Sequence, residues 1–413
     1  MNSQDKEILF LYTNAFPCDK ALEHYIEHEM PFLSKSFDKI YIFPGDFSDI
    51  KIPVPQNVSV VNIYDAAYYK SSLLRLFFAL PYLIKVLSIE FFNTKINKLL
   101  WLKKIKSSFV SLYNAYECAN ATKEFLRAKQ LKADQVCFYS YWLYHPALFL
   151  AVLKDRNIIP SFVSRGHQAE VYDYAYPEKN EFKYFKLLQV SKVFLISEHA
   201  KKYLSTTYPK FKHKFEVAYL GVKNNGVNPS SSNNQVFTIV SCSKFAPHKR
   251  IHLISEMLKE LKFKTRWVHL GFIPNEIIEE YKAVLKQSSV EGETQFLCDL
   301  ANHDVLEFYK NNHIDVFINV SSIEGLSVAL MEACSYGITL LATDINGTAE
   351  IVNETSGYLL PLNFKISDAV TILNNIQSDK RFQKREEARH MFLERFDSDK
   401  NFTQFIRNIK VIN

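Results

Sequence analysis

Short apolar runs with the period of buried strands alternate with longer stretches of helical period along the chain. The runs 7–12 (EILFLY), 39–44 (KIYIFP), 58–63 (VSVVNI), 134–140 (DQVCFYS), 160–164 (PSFVS) and 192–197 (KVFLIS) predict strands. Segments 21–36, 109–130, 145–155 and 198–207 predict helices between them. A polar run without periodicity, KNNGVNPSSSNNQ at 223–235, reads as a linker. The alternation then restarts with strands expected at 236–242, 265–271, 294–297, 315–320 and 338–343. Alternating strand and helix is the signature of an α/β fold built on doubly wound parallel sheets. Two such units are expected, 1–222 and 223–395, with a terminal helix at 396–413 packing back on the first.

Composition adds little and excludes several classes. The chain has 413 residues, 47% hydrophobic and 23% charged, which suits folded domains rather than disorder. The start, MNSQDKEILFLYTNAF, lacks the shape of a secretory signal, and no run reaches the roughly 18 uncharged apolar residues expected of a membrane span. Six scattered cysteines without metal or disulfide spacing suit a cytoplasmic location. The net charge of +6 is uneven: between 70 and 106 stand Lys70, Arg75, Lys85, Lys95, Lys98, Lys103, Lys104 and Lys106 against Glu90 alone. Interleaved phenylalanines and leucines give the segment 66–108 two readings: a helical insertion packed on the domain, or a surface for the inner face of an anionic membrane. Nucleic acid is not expected, because no binding motif accompanies the basic cluster.

The candidate chemistry concentrates at 321–350, SSIEGLSVALMEACSYGITLLATDINGTAE. A strand ends at the loop IEGLS, a helix begins with Ser327 as N-cap, and Gly337 closes it. In open parallel sheets ligands bind beyond the carboxyl ends of strands, where a helix N-terminus offers N–H groups to a phosphate. Gly325 lets backbone approach closely, Glu324 stands at the strand exit, and Glu332 lies a turn and a half into the helix. A second constellation, SCSKFAPHKRIHL at 241–253, places Lys244 and Lys249 after another strand, suited to neutralising a diphosphate.

The spacing of Glu324 and Glu332, followed by GITLLATDINGTAEIV, resembles the retaining nucleotide-sugar glycosyltransferases of family 4, with the GT-B fold. SKFAPHKR is similar to that family's donor-phosphate loop. SFVSRGHQAEVYDYAYP, FLISEHAKKYL, VAYLGV and FPCDKALEHYIEHEMPFL look like its capsular, exopolysaccharide and lipopolysaccharide branch. The resemblance implies two Rossmann-like domains facing across a cleft and transfer, of hexosyl type with retention, from a nucleoside diphosphate sugar to a glycan or lipid-linked saccharide. It implies that Glu324 contacts the donor sugar, Glu332 the ribose, and Lys244 with Lys249 the diphosphate. Gly325, Leu326 and Ser327 would supply main-chain contacts, and Gly271, Leu297 and Leu300 would flank the base. His167 would face the donor sugar, assisted by Arg165, while Tyr141 and Trp142 would meet the acceptor.

Three positions depart from the family pattern: Ser327 where proline is frequent, Asn346-Gly347 in place of two glycines, and no Gly-Gly pair in TNAFPCDK. The last bears on any phosphate contact in the first unit. Retention without an obvious carboxylate nucleophile points to front-face substitution, with no cofactor and no metal required. Asp397-Ser398-Asp399 reads as a helix start rather than a metal site. Two alternatives stand beside the transferase: a catalytically silent nucleotide-sugar-binding partner protein, and a sugar-nucleotide epimerase of the same architecture.

Overall fold

The computed structural model describes residues 8–18, 23, 25–63, 73–93, 102–176, 181–229, 236–271, 293–298, 300–379 and 383–412. They form two compact units, 1–218 with 402–413, and 219–401. The first unit runs β1 (Ile8–Thr13), α1 (Tyr25–Ser36), β2 (Lys39–Pro44), β3 (Val58–Val60), α2 (Leu73–Asn93), α3 (Ile105–Ala128), β4 (Val136–Ser140), α4 (His145–Asp155), β5 (Val163–Gly166), α5 (Lys183–Gln189), β6 (Lys192–Leu195), α6 (Glu198–Thr207) and β7 (Phe215–Val217). The second runs β8 (Phe237–Cys242), α7 (Ile251–Glu260), β9 (Thr265–Gly271), β10 (Glu293–Cys298), α8 (Asn302–Asn311), β11 (Val316–Asn319), α9 (Val328–Ser335), β12 (Leu340–Thr343), β13 (Gly357–Leu360), α10 (Ile366–Ser378) and α11 (Arg385–Arg395). A last helix, α12 (Ser398–Ile412), runs from the second unit into the first.

Both sheets are parallel, in the orders β3-β2-β1-β4-β5-β6-β7 and β10-β9-β8-β11-β12-β13. The order reverses beside the first strand of each unit, between β1 and β4 and between β8 and β11. A sheet buried on both faces needs apolar side chains on both, which is why its strands read as unbroken apolar runs. In β1, Phe10 and Tyr12 enter one core with α2, α3 and α4, while Leu9 and Leu11 enter the other with α1 and α12.

The strand predicted at 160–164 is displaced to Val163–Gly166. Pro160 has no N–H to give a ladder, so pairing starts three residues later. The division between units falls at 218/219 and 401/402, against an expected 222/223 and 395/396. The chain segments there are bonded together: Val222 N donates to Phe396 O (2.9 Å) and Ser398 N to Val222 O (3.1 Å). A Cβ on Gly221 would lie 2.5 Å from Ser398 Cα, so only glycine fits this crossing. Part of the expected linker, 230–235, lies outside the described residues. Asn228, also in that run, is buried, donating to the carbonyls of Tyr309 and Asn312 and accepting from Ile314 N.

One predicted site residue is structural. Arg165 is 0% exposed and spends its guanidinium on Glu29 Oε2 (3.1 Å), Tyr139 Oη (3.2 Å) and Ala218 O (3.0 Å), packed 3.9 Å over the Phe405 ring. It therefore joins α1, β4, β5 and α12 instead of reaching a ligand. Burial penalises its charge, but the Glu29 carboxylate outweighs that and holds the guanidinium above its ordinary pKa. Breaking a buried pair strands a charge, so Glu29→Gln is expected to destabilise the first unit by about 3–5 kcal/mol in urea unfolding. A loss under about 1 kcal/mol would show that the pair is dispensable.

Candidate active site

The loops leaving β8 and β11 flank the strand-order reversal of the second unit, the place where parallel sheets open a crevice. They are laced together. Ser322 donates from both N (2.7 Å) and Oγ (3.2 Å) to His248 O. Arg250, in the left-handed region at φ 48°, donates to Val320 O (2.7 Å), Leu362 O (2.8 Å) and Ser321 O (3.5 Å). These bonds offset the backbone strain of a non-glycine residue there.

Across this lacing Lys249 Nζ meets Glu324 Oε1 at 2.5 Å. The same oxygen accepts from Ser321 Oγ (2.8 Å) and Asn319 Nδ2 (3.5 Å). Asn319 also donates to Ser327 Oγ (3.2 Å), which caps α9 by accepting from Leu330 N (3.4 Å). The Glu324 carbonyl accepts from Asn346 Nδ2 (2.7 Å). Gly325, Leu326 and Ser327 are buried between the carboxylate and the helix start. At the other end of α9, Gly337 is left-handed (φ 66°), and Ile338 N to Ala333 O with Gly337 N to Cys334 O completes the cap that the glycine predicts.

The remaining residues expected to bind a donor are spread more widely. Lys244 is exposed on the β8 loop. Gly271 ends β9 against that loop: a Cβ there would sit 2.0 Å from Ser243 O. A chain of hydrogen bonds sets the approach, from Trp267 Nε1 to Ser241 Oγ (3.0 Å), between Ser241 Oγ and His269 Nδ1 (2.8 Å), and between His269 Nε2 and Ser243 O (3.2 Å). Burial pushes His269 down to about 4, so the ring is neutral. Leu297 and Leu300 are half-buried at and just past the end of β10. Glu332 is buried and accepts from Asn302 Nδ2 (2.7 Å); burial pushes its carboxyl up to about 7 against that bond.

In the first unit a cavity of 570 Å³ opens where β1, β2, β4 and β5 end, lined among others by Asn14, Glu23, Asp46, Trp142, His145 and Glu170. Glu23 is fully engaged. It accepts from the backbone N–H groups of Asn14 (2.9 Å), Ala15 (2.6 Å) and Phe16 (2.5 Å), and from Trp142 Nε1. The backbone nest after β1 thus holds a carboxylate of the chain itself, in the loop that lacks the Gly-Gly pair. Tyr141, expected beside an acceptor, is buried in the core behind the cavity, and Trp142 alone of the two lines it. The His167 ring lies 4.2 Å from that of Trp142. Its backbone N (2.8 Å) and Nδ1 (3.1 Å) are both bonded to Glu170 Oε1, and buried Nε2 has no partner among the described residues. Burial opposes the Glu170 charge, but the hydrogen bonds from His167 outweigh it and hold the carboxyl below its ordinary value.

Sequence reasoning singled out none of Glu23, Asp46, His145 and Glu170. Glu170 carried a signal, an acid three residues after the cleft histidine. Asn319 carried another, an amide inside a buried strand. Among the described residues no group of three or more His, Cys, Asp or Glu side chains could hold a metal ion. Asp397 caps α12, accepting from Lys400 N (3.1 Å).

Residues 223–395 match the family described as glycosyl transferases group 1. The match lies within the second unit and contains Lys244, Lys249, Glu324 and Glu332, and it supports a glycosyltransferase role. No curated protein sequence matches the chain. Among solved structures, Anabaena HepE in complex with UDP and glucose superposes with a TM-score of 0.65 at 15% identity, covering 97% of this chain and 98% of that one. Sucrose-phosphate synthase from Thermosynechococcus elongatus superposes at 0.72 and 12% identity, covering 98% and 99%. The lipopolysaccharide outer core galactosyltransferase WaaB superposes at 0.66 and 13% identity, covering 97% and 98%. At such identities the likeness establishes the fold, which is GT-B, with two Rossmann-like parallel-sheet units.

The Glu332 environment makes a pH prediction. Its folded pKa of about 7 exceeds the ordinary 4.5, so the folded second unit holds this proton more tightly. The stability this group contributes is therefore complete below about pH 4.5, falls by about 3 kcal/mol as pH rises to about 7, and changes little above that. Glu332→Gln keeps the acceptor for Asn302 and is expected to remove that fall. Urea midpoints of both proteins at about pH 5 and pH 8 check it, and equal slopes would contradict it.

Proposed function

We propose that this chain transfers a sugar, with retention of anomeric configuration, from a nucleoside diphosphate sugar to a saccharide or lipid-linked saccharide acceptor in bacterial surface-polysaccharide synthesis. The observation that carries the reading is the ion pair between Lys249 and Glu324 across the strand-order reversal, inside the segment matching group 1 glycosyl transferases. Three solved structures of one protein of similar fold support the donor class, since HepE is found with UDP, with UDP-glucose, and with UDP and glucose.

On this reading Glu324 accepts hydroxyls of the donor sugar, and Lys249 with Lys244 holds the diphosphate beside the α9 N-terminus. Glu332 serves the ribose, and Gly271, Leu297 and Leu300 flank the base. The bond from the anomeric carbon to the diphosphate oxygen breaks. The acceptor oxygen bonds to that carbon on the same face, and its proton passes to the departing phosphate oxygen. The lysines and the helix start neutralise leaving-group charge while the loops orient the reactants. The first unit's cavity, with Trp142 as an aromatic platform and carboxylates at its wall, suits sugar hydroxyls on the acceptor side. His167 serves the donor sugar from that unit through the ring facing Trp142.

Nucleotide release from a panel of nucleoside diphosphate sugars, combined with thermal shift, tests the reading, because a ligand bound to the folded state alone raises stability. Lys249→Ala is expected to lower turnover by about 10²–10³-fold. If no sugar nucleotide binds or turns over, or if Lys249→Ala matches the parent, the assignment falls.

A further inference from the structure

Helix α2 is apolar on its outward side as well as its inward one. Its buried stripe is Ala79, Leu83, Val86 and Glu90, packed into the first unit. Its outward side is mostly apolar: Phe77 and Phe78 are 70% and 69% exposed, Phe92 is 73% exposed, and Leu80, Pro81 and Ile84 lie between them, with Lys85 and Ser88 as the exposed polar positions. The helix acid, Glu90, is turned inward, accepting from the Phe185 (2.9 Å) and Tyr184 (3.4 Å) backbone N–H groups at the start of α5. Its two cations are tied down as well, Arg75 to Glu117 (3.3 Å) and Lys85 to Asp155 (2.9 Å). No unpaired carboxylate is left on that face among the described residues of α2.

By length and composition, Arg75–Asn93 could cross a membrane, with a mean hydropathy of 1.5. Lys85 and Glu90 still interrupt it, so no uncharged apolar run of that length exists, but two charges do not lower the mean of the helix below that of a span. The inward stripe decides between spanning and lying flat. Three core side chains and the Glu90 bonds hold α2 along the unit, so only its outward side is available to lipid.

The charge that follows has one sign. From 91 to 116 the sequence carries Lys95, Lys98, Lys103, Lys104 and Lys106 and no acid. At the start of α3, which packs against α2, Lys103 and Lys106 are exposed beside exposed Leu102, Ile105 and Val110. An apolar stripe next to a block of cations complements a hydrocarbon edge overlaid by anionic headgroups.

We propose that this face, α2 with the start of α3, seats the first unit on an anionic lipid bilayer, with Phe77, Phe78, Ile84 and Phe92 entering the headgroup boundary. The proposal holds whether or not the transferase reading does, because its measurement uses no sugar nucleotide. Sedimentation with phosphatidylcholine vesicles, with and without phosphatidylglycerol, is the assay. The full chain is expected to bind the anionic vesicles at least about tenfold more tightly than the neutral ones. Lys103→Gln/Lys104→Gln/Lys106→Gln is expected to lose about a hundredfold on anionic vesicles, at about 1 kcal/mol per lysine. Phe77→Ser/Phe78→Ser/Phe92→Ser alters exposed side chains and is expected to abolish binding with circular dichroism unchanged. The proposal is overturned by absence of binding to anionic vesicles, or by binding that neither variant weakens. Lipid-free dimerisation abolished by the phenylalanine variant, or resistance of the bound chain to alkaline carbonate, also overturns it.

Discussion

Parallel strands whose order reverses leave a gap at the reversal, because loops on its two sides depart in opposite directions. Whatever closes that gap fixes the geometry of anything bound there. Each unit closes it with a polar bond between the loop after its first strand and the loop after the strand across the reversal. In the second unit the bond is Lys249 to Glu324; in the first it is Trp142 to Glu23. The two closures differ in chemistry. The first is sealed by a carboxylate held in backbone N–H groups, so its nest is already neutralised. The second presents a cation and an anion that a charged, hydroxyl-rich ligand can divide between them.

Around these closures buried charge is handled individually. Arg165 is matched by Glu29 with further acceptors, while Glu332 has one amide and its carboxyl titrates near neutrality. Glu90, facing two backbone N–H groups, is likewise pushed up to about 7 by burial. A buried acid with so little compensation sits near its own neutralisation point, which makes it sensitive to what binds nearby.

The alternation of apolar runs made both sheets legible, because a strand buried on two faces has no other pattern available. The placing of the IEGLS loop and the lysine turn at strand exits was legible too, since each follows directly on an apolar run. Arg165 and Tyr141 misled for a physical reason. Arg165 pairs with Glu29, 136 residues away in the chain, and Tyr141 packs into the core behind the cavity, contacts that no local pattern announces. Glu23 was invisible because three of its partners are backbone N–H groups, which carry no sequence signature, and the fourth, Trp142, is 119 residues away.

The final segment belongs to the first unit although it is made after the second. Phe405, Ile406 and Ile409 cover the sheet face of Leu9, Leu11, Tyr139 and Phe194. The second unit is therefore synthesised in full before the segment that covers that face. A chain cut before residue 402 would keep the second unit but leave the hydrophobic sheet face of the first open to water.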